Sequence, residues 1–305
     1  MRGRTNMLSS NVTSGTFSLL WWIVAVACLA TVSIRLEGQS SNVVVTHKAR
    51  SVSPGEAVLV AVTTSEQLVR VEGRIFDRTV RFYQAGGGSW RGLVGIDLMV
   101  ESGDHELVLQ ATFAAGRSLE RLYTLSVVDK AYPTRRLTVA PRYVEPPPDV
   151  VERITREAQL QTEIFATDTP ERFWRGAWGR PVPGAATSAF GSRSVFNGQP
   201  RRPHSGADFR AATGTLVKAP NAGRVVMTGD TYFSGGSVIL DHGWGLYSYF
   251  AHLSKILVQE GEFVEASDGV GHAGATGRVT GPHLHWTLRL NGARVDPLSL
   301  IEIVP

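Results

Sequence analysis

Apolar and polar positions alternate with period two along most of the chain. Between Asn42 and Asp129 the runs "VSPGEAVLVAV", "QLVRVEGRIF", "TVRFYQ", "WRGLVGIDL", "HELVLQATF" and "RLYTLSVVD" are divided by "PG", "GGG", "SGD" and "AAG" turns. Leu107, Leu109, Ala111 and Phe113 alternate with polar partners, as do Tyr123, Leu125 and Val127, so each run predicts a strand with one core face and one wet face. Regular turn spacing predicts a small immunoglobulin-like β-sandwich over 42–130. Over 131–180 the pattern changes. In "YVEPPPDVVERITREAQLQTEIF" a proline stop precedes Asp149, a candidate N-cap, and then a helix with Val150, Ile154, Ala158 and Phe165 near one face. This stretch reads as a linker, completed by the irregular "RFWRGAWGRPVPG", which is expected to pack over a domain surface. From Pro181 strands return, dense in glycine, and no segment sustains a 3.6-residue apolar period. The expected fold class is therefore all-β, with a helical linker between a sandwich and an antiparallel-β domain over 181–305. No repeat of fixed period is present, which removes solenoids and propellers.

The first residues follow a different pattern. Arg2 and Arg4 precede the nearly uninterrupted apolar run "FSLLWWIVAVACLATVSI" at 17–34, and charges resume at Arg35. The run reaches the lower limit for a membrane span and is long for a signal peptide. Export is implied either way. Ala25, Ala27 and Ala30 would permit cleavage, whereas the Trp pair and the length favour an uncleaved anchor with residues 1–16 inside. Cys28 could be read as a lipid-attachment site, but the run stays apolar beyond it, which favours a cysteine buried in the span.

Composition narrows the picture further. A chain of 305 residues with 43% hydrophobic and 19% charged residues is an ordinary folded protein with room for two domains. A net charge of +4 without a dense Lys/Arg block argues against nucleic-acid binding. Cys28 is the only cysteine, so neither an intrachain disulfide nor a thiolate zinc site is available.

Six of the eight histidines fall between positions 204 and 285. In "GPHLHW" His283 and His285 share one face of an extended segment. In "HSGAD" His204 and Asp208 are four apart, and Pro203 and Gly206 argue for a loop entering a strand. His252 ends the alternating run "YFAHLS". Imidazole and carboxylate suit Zn²⁺, and catalytic zinc takes three protein ligands with one position open. His204, Asp208 and one of the 283/285 pair make such a set, with the remaining histidines beside the open position. No HExxH occurs, so histidine must carry the proton work.

"GSRSVFNGQPRRPHSGADFRAATGTLVKAPNAGRVV", "LYSYFAHLS" and "TGRVTGPHLHW" together resemble the lysostaphin/LytM-type family of zinc metalloendopeptidases, from Phe190 to Pro297. Carried over by position, the resemblance implies zinc ligands at His204, Asp208 and His285 and catalytic histidines at His252 and His283. It also implies hydrolysis of peptide cross-links in bacterial peptidoglycan by a zinc-activated water. The upstream half resembles the immunoglobulin-like domain that precedes the peptidase in Gram-negative relatives, which implies a periplasmic protein held at the inner membrane. Peptidoglycan stem peptides are then the expected partner, and a regulatory protein a further one. The alternative is a non-enzymatic relative that binds and activates cell-wall amidases; loss of any of the five residues would favour it, and none is lost. The other candidates have simpler expectations. His47, His105 and His272 read as surface or loop residues, His242 as a structural residue in a hairpin turn, Tyr249 as packing and Asn197 as a turn residue rather than an inhibitory fourth ligand. Arg193, Arg201 and Arg202 read as solvated charge, and Gly206, Gly277 and Gly281 as turn formers that keep a groove open.

Overall fold

Period-two alternation builds seven upstream strands: β1 (Val44–Ala49), β2 (Ala57–Thr63), β3 (Leu68–Ile75), β4 (Arg78–Gln84), β5 (Ser89–Gly95), β6 (Gly103–Phe113) and β7 (Ser118–Val127). The computed structural model describes residues 42–138, 144–188 and 190–304; the apolar run 17–34, with Cys28, lies outside them. Among the described residues no helix is long and apolar enough to cross a membrane. The upstream strands pair antiparallel in the order β1-β2-β5-β4-β3-β6-β7. The alternating residues Leu107, Leu109, Ala111 and Phe113 of β6 are buried, and they share a core with Val58, Val60, Val71, Val80 and Leu125. The sheet folds over that core, because His47 Nδ1 on one edge strand lies 2.7 Å from the Tyr123 hydroxyl on the other. Phe76 and Asp77, at φ 51° and 56°, form the tight turn of the β3–β4 hairpin.

The linker contains β8 (Thr134–Leu137) and α1 (Pro148–Ala166). Asp149 is not the N-cap: Pro147 holds that place without a side-chain cap, and Asp149 sits in the first turn, where its charge suits the helix dipole. The helix ends where Thr167 turns extended, its N–H reaching back to the Ile164 carbonyl. β8, "TRRL", is too short and charged to announce itself as a strand, yet it pairs in parallel with a strand of the next segment.

That segment comprises β9 (Ala186–Ser188), β10 (Arg193–Phe196), β11 (Gln199–Pro200), β12 (Gly206–Arg210), β13 (Leu216–Lys218), β14 (Gly223–Thr231), β15 (Gly235–Asp241), β16 (Leu246–Ile256), β17 (Phe263–Val264), β18 (Gly269–Ala273), β19 (His283–Leu290), β20 (Ala293–Val295) and the helix α2 (Pro297–Ile303). Ten of the strands form one sheet along β17-β14-β15-β16-β19-β12-β9, with β13, β18 and β20 attached off that path. β10 and β11 stand apart, in a small sheet with β8. The chain is thus mostly β, as expected. α2 is too short to show a helical period; Asp296 caps it by accepting from the Leu298 N–H.

One core runs through both halves. Leu284, Trp286, Leu288 and Leu290 of β19 pack with Phe209 and Phe250, and the same cluster takes in Ala57, Leu59 and Leu93 from the upstream sheet. Trp174 and Trp178, expected over a surface, are 2% and 4% exposed and belong to this core. The Arg172 guanidinium stacks over Tyr83 of β4 at 3.9 Å and over Trp174 at 4.8 Å, tying this segment to the upstream sheet. Charge reinforces the joint. Buried Glu56 accepts from Arg50 at 2.6 Å and from Lys130, Arg50 also reaches Asp296 at 2.6 Å, and Asp97 pairs with Arg294 at 2.6 Å.

Candidate active site

Strand pairing places the first two donors. In the antiparallel β12–β19 ladder Asp208 lies directly opposite His285, so both side chains leave the sheet on one face. On β19 that face carries His283, His285, Thr287 and Arg289, while Leu284, Trp286 and Leu288 enter the core on the other. His204 lies in the loop two residues before β12 and reaches over the same spot. Its Nε2 is 3.1 Å from Asp208 Oδ1 and 3.1 Å from His285 Nδ1, and His285 Nδ1 is 2.9 Å from Asp208 Oδ1. Gly206 makes this approach possible. A Cβ there would lie 2.5 Å from the Trp286 carbonyl oxygen and 2.8 Å from the His285 ring.

Three partly buried donors therefore converge within 4.8 Å of one another. Two imidazole nitrogens and one carboxylate oxygen are the donor set of a tetrahedral zinc site, whose ligand atoms stand about 3.3 Å apart at bonds of about 2.0–2.1 Å. The outer contacts suit that use as well: His285 Nε2 is 2.9 Å from Thr287 Oγ1, which fixes the ring. Burial opposes the Asp208 charge, but the hydrogen bonds with His204 and His285 outweigh it and hold the carboxyl far below its ordinary range. Burial also lowers His285, which favours the neutral imidazole that a metal requires.

His252 and His283 flank the cluster. Their rings are 4.8 Å apart, and His252 is 6.0 Å from the His285 ring. His283 Nδ1 lies 2.9 Å from the Gly281 carbonyl and His252 Nδ1 lies 3.0 Å from the Thr276 carbonyl. A carbonyl only accepts, so each Nδ1 carries the proton and each Nε2 keeps a lone pair. His283 Nε2 is 3.8 Å from Asp208 Oδ1. Burial, with His285 next, pushes His252 down to about 4, so its ring is neutral around pH 7.

The backbone at His252 explains a feature that alternation misses. Phe250 pairs with Val238 and Leu253 with Gly236, so β16 holds one residue more than β15, and His252 takes φ 66°. This bulge breaks the parity that would otherwise set Tyr249 and His252 on opposite faces. Tyr249 and Ala251 lie on the site's own face, Ala251 directly opposite His285. Tyr249 is packed there as expected, its hydroxyl 3.1 Å from Ser237 Oγ. The linker helix covers the same face beyond it: Gln161 Nε2 donates to Tyr249 at 3.5 Å, Phe165 meets Tyr247 edge-on at 5.6 Å, and Arg289 lies over the Phe165 ring.

The remaining sequence candidates do not join the cluster. His242 lies at the β15–β16 hairpin turn and is wholly buried, its ring held between the Ala222 carbonyl at 2.7 Å and Ser248 Oγ at 2.9 Å. His272 is not in a loop; it lies in β18, opposite Leu216 and Lys255. Asn197 and Gly198, at φ 49° and 83°, make the β10–β11 turn. Arg201 donates to the Val144 carbonyl at 3.0 Å, while Arg193 and Arg202 are exposed.

Residues 202–297 match the model of peptidase family M23. Over 97 residues the chain is 43% identical to the peptidoglycan DD-endopeptidase ShyA of Vibrio cholerae, an alignment covering 32% of this chain and 23% of that protein. Over 104 residues it is 39% identical to the DD-carboxypeptidase/endopeptidase Mpg of Neisseria meningitidis, covering 34% of this chain and 24% of that one. The match to these curated relatives thus spans well under half of their length. A Pseudomonas aeruginosa crystal structure assigned to peptidase M23 superposes with a TM-score of 0.64 at 33% identity, covering 83% of this chain and 96% of that chain. With nearly the whole of that structure matched, upstream half and site together, the chain belongs to peptidase family M23.

Proposed function

We propose that the protein is a zinc-dependent endopeptidase that hydrolyses peptide cross-links in bacterial peptidoglycan. One observation carries this reading: His204, Asp208 and His285 converge as a three-donor set, with two further imidazoles beside them. Zinc would be held by those three side chains, where it would supply Lewis acidity toward the scissile carbonyl and lower the pKa of water. His252 and His283 do the proton work. Each presents an Nε2 lone pair, set by a backbone carbonyl on its Nδ1, and so accepts a proton from the attacking water and returns one to the leaving amine. As imidazolium, either ring also stabilises the developing oxyanion. Both sit on a sheet rather than on a long loop, which limits the geometric error of the proton transfers.

Peptidoglycan as substrate is supported by the two relatives named for DD-endopeptidase activity. All five motif residues are present and gathered, which favours an enzyme over an amidase-activating regulator. We further propose that residues 17–34 export the chain and anchor it to the inner membrane, with an immunoglobulin-like sandwich and the catalytic half in the periplasm. The test is to incubate the chain from Ser41 onward with purified sacculi, with and without a chelator, and to identify released muropeptides by mass. Chelator-sensitive release of cross-link cleavage products is expected; intact sacculi with the zinc-loaded protein would sink the proposal.

A further inference from the structure

The three metal donors are not held alike. Asp208 and His285 are locked opposite each other in the main sheet, whereas His204 lies outside that ladder, at the end of the β10–β11 hairpin. That hairpin is supported by the linker. β10 pairs in parallel with β8, from Arg193 with Thr134 to Phe196 with Leu137, and the Arg193 N–H donates to the Pro133 carbonyl at 2.9 Å. Just before β10, Gly191 rests against the ring of Tyr132 so closely that a Cβ at Gly191, where φ is 78°, would overlap the ring. Phe190 meets the same ring edge-on at 6.2 Å. The Tyr132 hydroxyl donates to the Pro54 carbonyl of the upstream half at 2.6 Å. From there two backbone bonds lead to the site: Gly191 N–H to the His204 carbonyl at 2.8 Å, and His204 N–H to the Ser192 carbonyl at 2.9 Å.

We propose that Tyr132 is a positioning residue for the metal site: wedged between Pro54 and Gly191, it sets where the backbone of His204 hangs and so where His204 Nε2 meets the other two donors. The upstream half thereby shapes the site without touching it. This inference rests on the metallopeptidase reading above. It is specific to one of several contacts between the halves, and that makes it separable from general loosening of the joint. The Asp97–Arg294 pair also bridges the halves but has no link to His204.

The test uses the full chain stripped of metal, with zinc affinity measured by chelator competition and donor geometry by the visible spectrum of the cobalt form. Removing an outer-shell support lowers metal affinity by about tenfold or more, so Tyr132→Leu is expected to raise the zinc Kd by about tenfold and to alter the cobalt spectrum. Tyr132→Phe, which keeps the ring on Gly191, should restore the spectrum and most of the affinity, and Arg294→Gln should bind zinc as the wild type does. Wild-type affinity and spectrum in Tyr132→Leu would overturn the proposal, as would an equal loss in Arg294→Gln. Should Tyr132→Leu fail to fold, Tyr132→Met is read by the same criteria. A wild-type chain that binds no zinc defeats the metal reading itself, an outcome distinct from either.

Discussion

At the scale of single residues, the two histidines of "HLH" face the same way yet are placed differently. His285 Nδ1 points among the gathered donors of His204 and Asp208, whereas His283 stands 3.8 Å from Asp208 and is turned by its bond to Gly281. Replacing His285 by Ala should therefore empty the site of zinc, measured by elemental analysis, while His283→Ala should keep its metal and lose turnover of sacculi. Metal loss in the second variant would reverse the assignment. Gly206→Ala is expected to act like a ligand deletion, because its Cβ meets backbone at Trp286 as well as the His285 ring. His242 gives a pH prediction remote from the metal. Burial lowers it to about 4 from 6.5, so between those values the unfolded chain takes up a proton that the folded chain refuses. Its contribution to stability is constant above pH 6.5 and falls as the pH drops toward 4. Between pH 7 and pH 5 the loss amounts to about 2 kcal/mol. Urea unfolding should show the gap between wild type and His242→Gln narrowing by that amount at pH 5. The five residues that the fold gathers, His204, Asp208, His252, His283 and His285, were legible from spacing and resemblance. The tautomers were not, since they depend on the carbonyls of Thr276 and Gly281 closing onto the rings.

At the scale of elements, alternation revealed strands wherever a run had one wet face, as on β6 and β7. It failed where the signal was too short or broken. β8 has four residues and two arginines, α2 has seven residues, and the β16 bulge inserts one residue that no periodicity predicts. The bulge matters most. It brings His252 to the site and leaves Tyr249 and Ala251 on the site's own face. Deleting Ala251 would remove the extra residue and put His252 in Ala251's place, opposite His285 and displaced from the Thr276 carbonyl that sets its ring; the deletion should lose turnover, and a crystal structure would show the shifted register. Glu56 is a second element-level device. It is fully buried and joins β2's approach to Arg50 and Lys130, while Arg50 also holds the cap of α2. Glu56→Ala would leave two cations without their shared partner, and a loss of about 3 kcal/mol is expected in urea unfolding, at the low end for a broken buried pair because both cations are partly exposed.

At the scale of the whole molecule, the sequence suggested two domains and a linker, but side chains from both sides share a core. Leu59 and Leu93 pack in the cluster of Leu290 and Ala293, and a Cβ on Gly95 would come within 2.9 Å of Ala293. Calorimetry on the chain from Ser41 onward should thus record a single cooperative transition; two separated transitions would show that the joint contributes little. Such long-range packing leaves no periodic trace, which is why it was hidden in the residue pattern. The position of the linker helix has its own consequence for what can lie on the sheet. Going along β19 from His285, Thr287 comes about 7 Å away, and one strand step further Arg289 is already roofed by Phe165. In that direction, then, a bound chain has room for two residues against the strands before it must rise away from them or lift the last turn of the helix. A series of synthetic peptides lengthened one residue at a time on that side would register the obstruction as a step in KM.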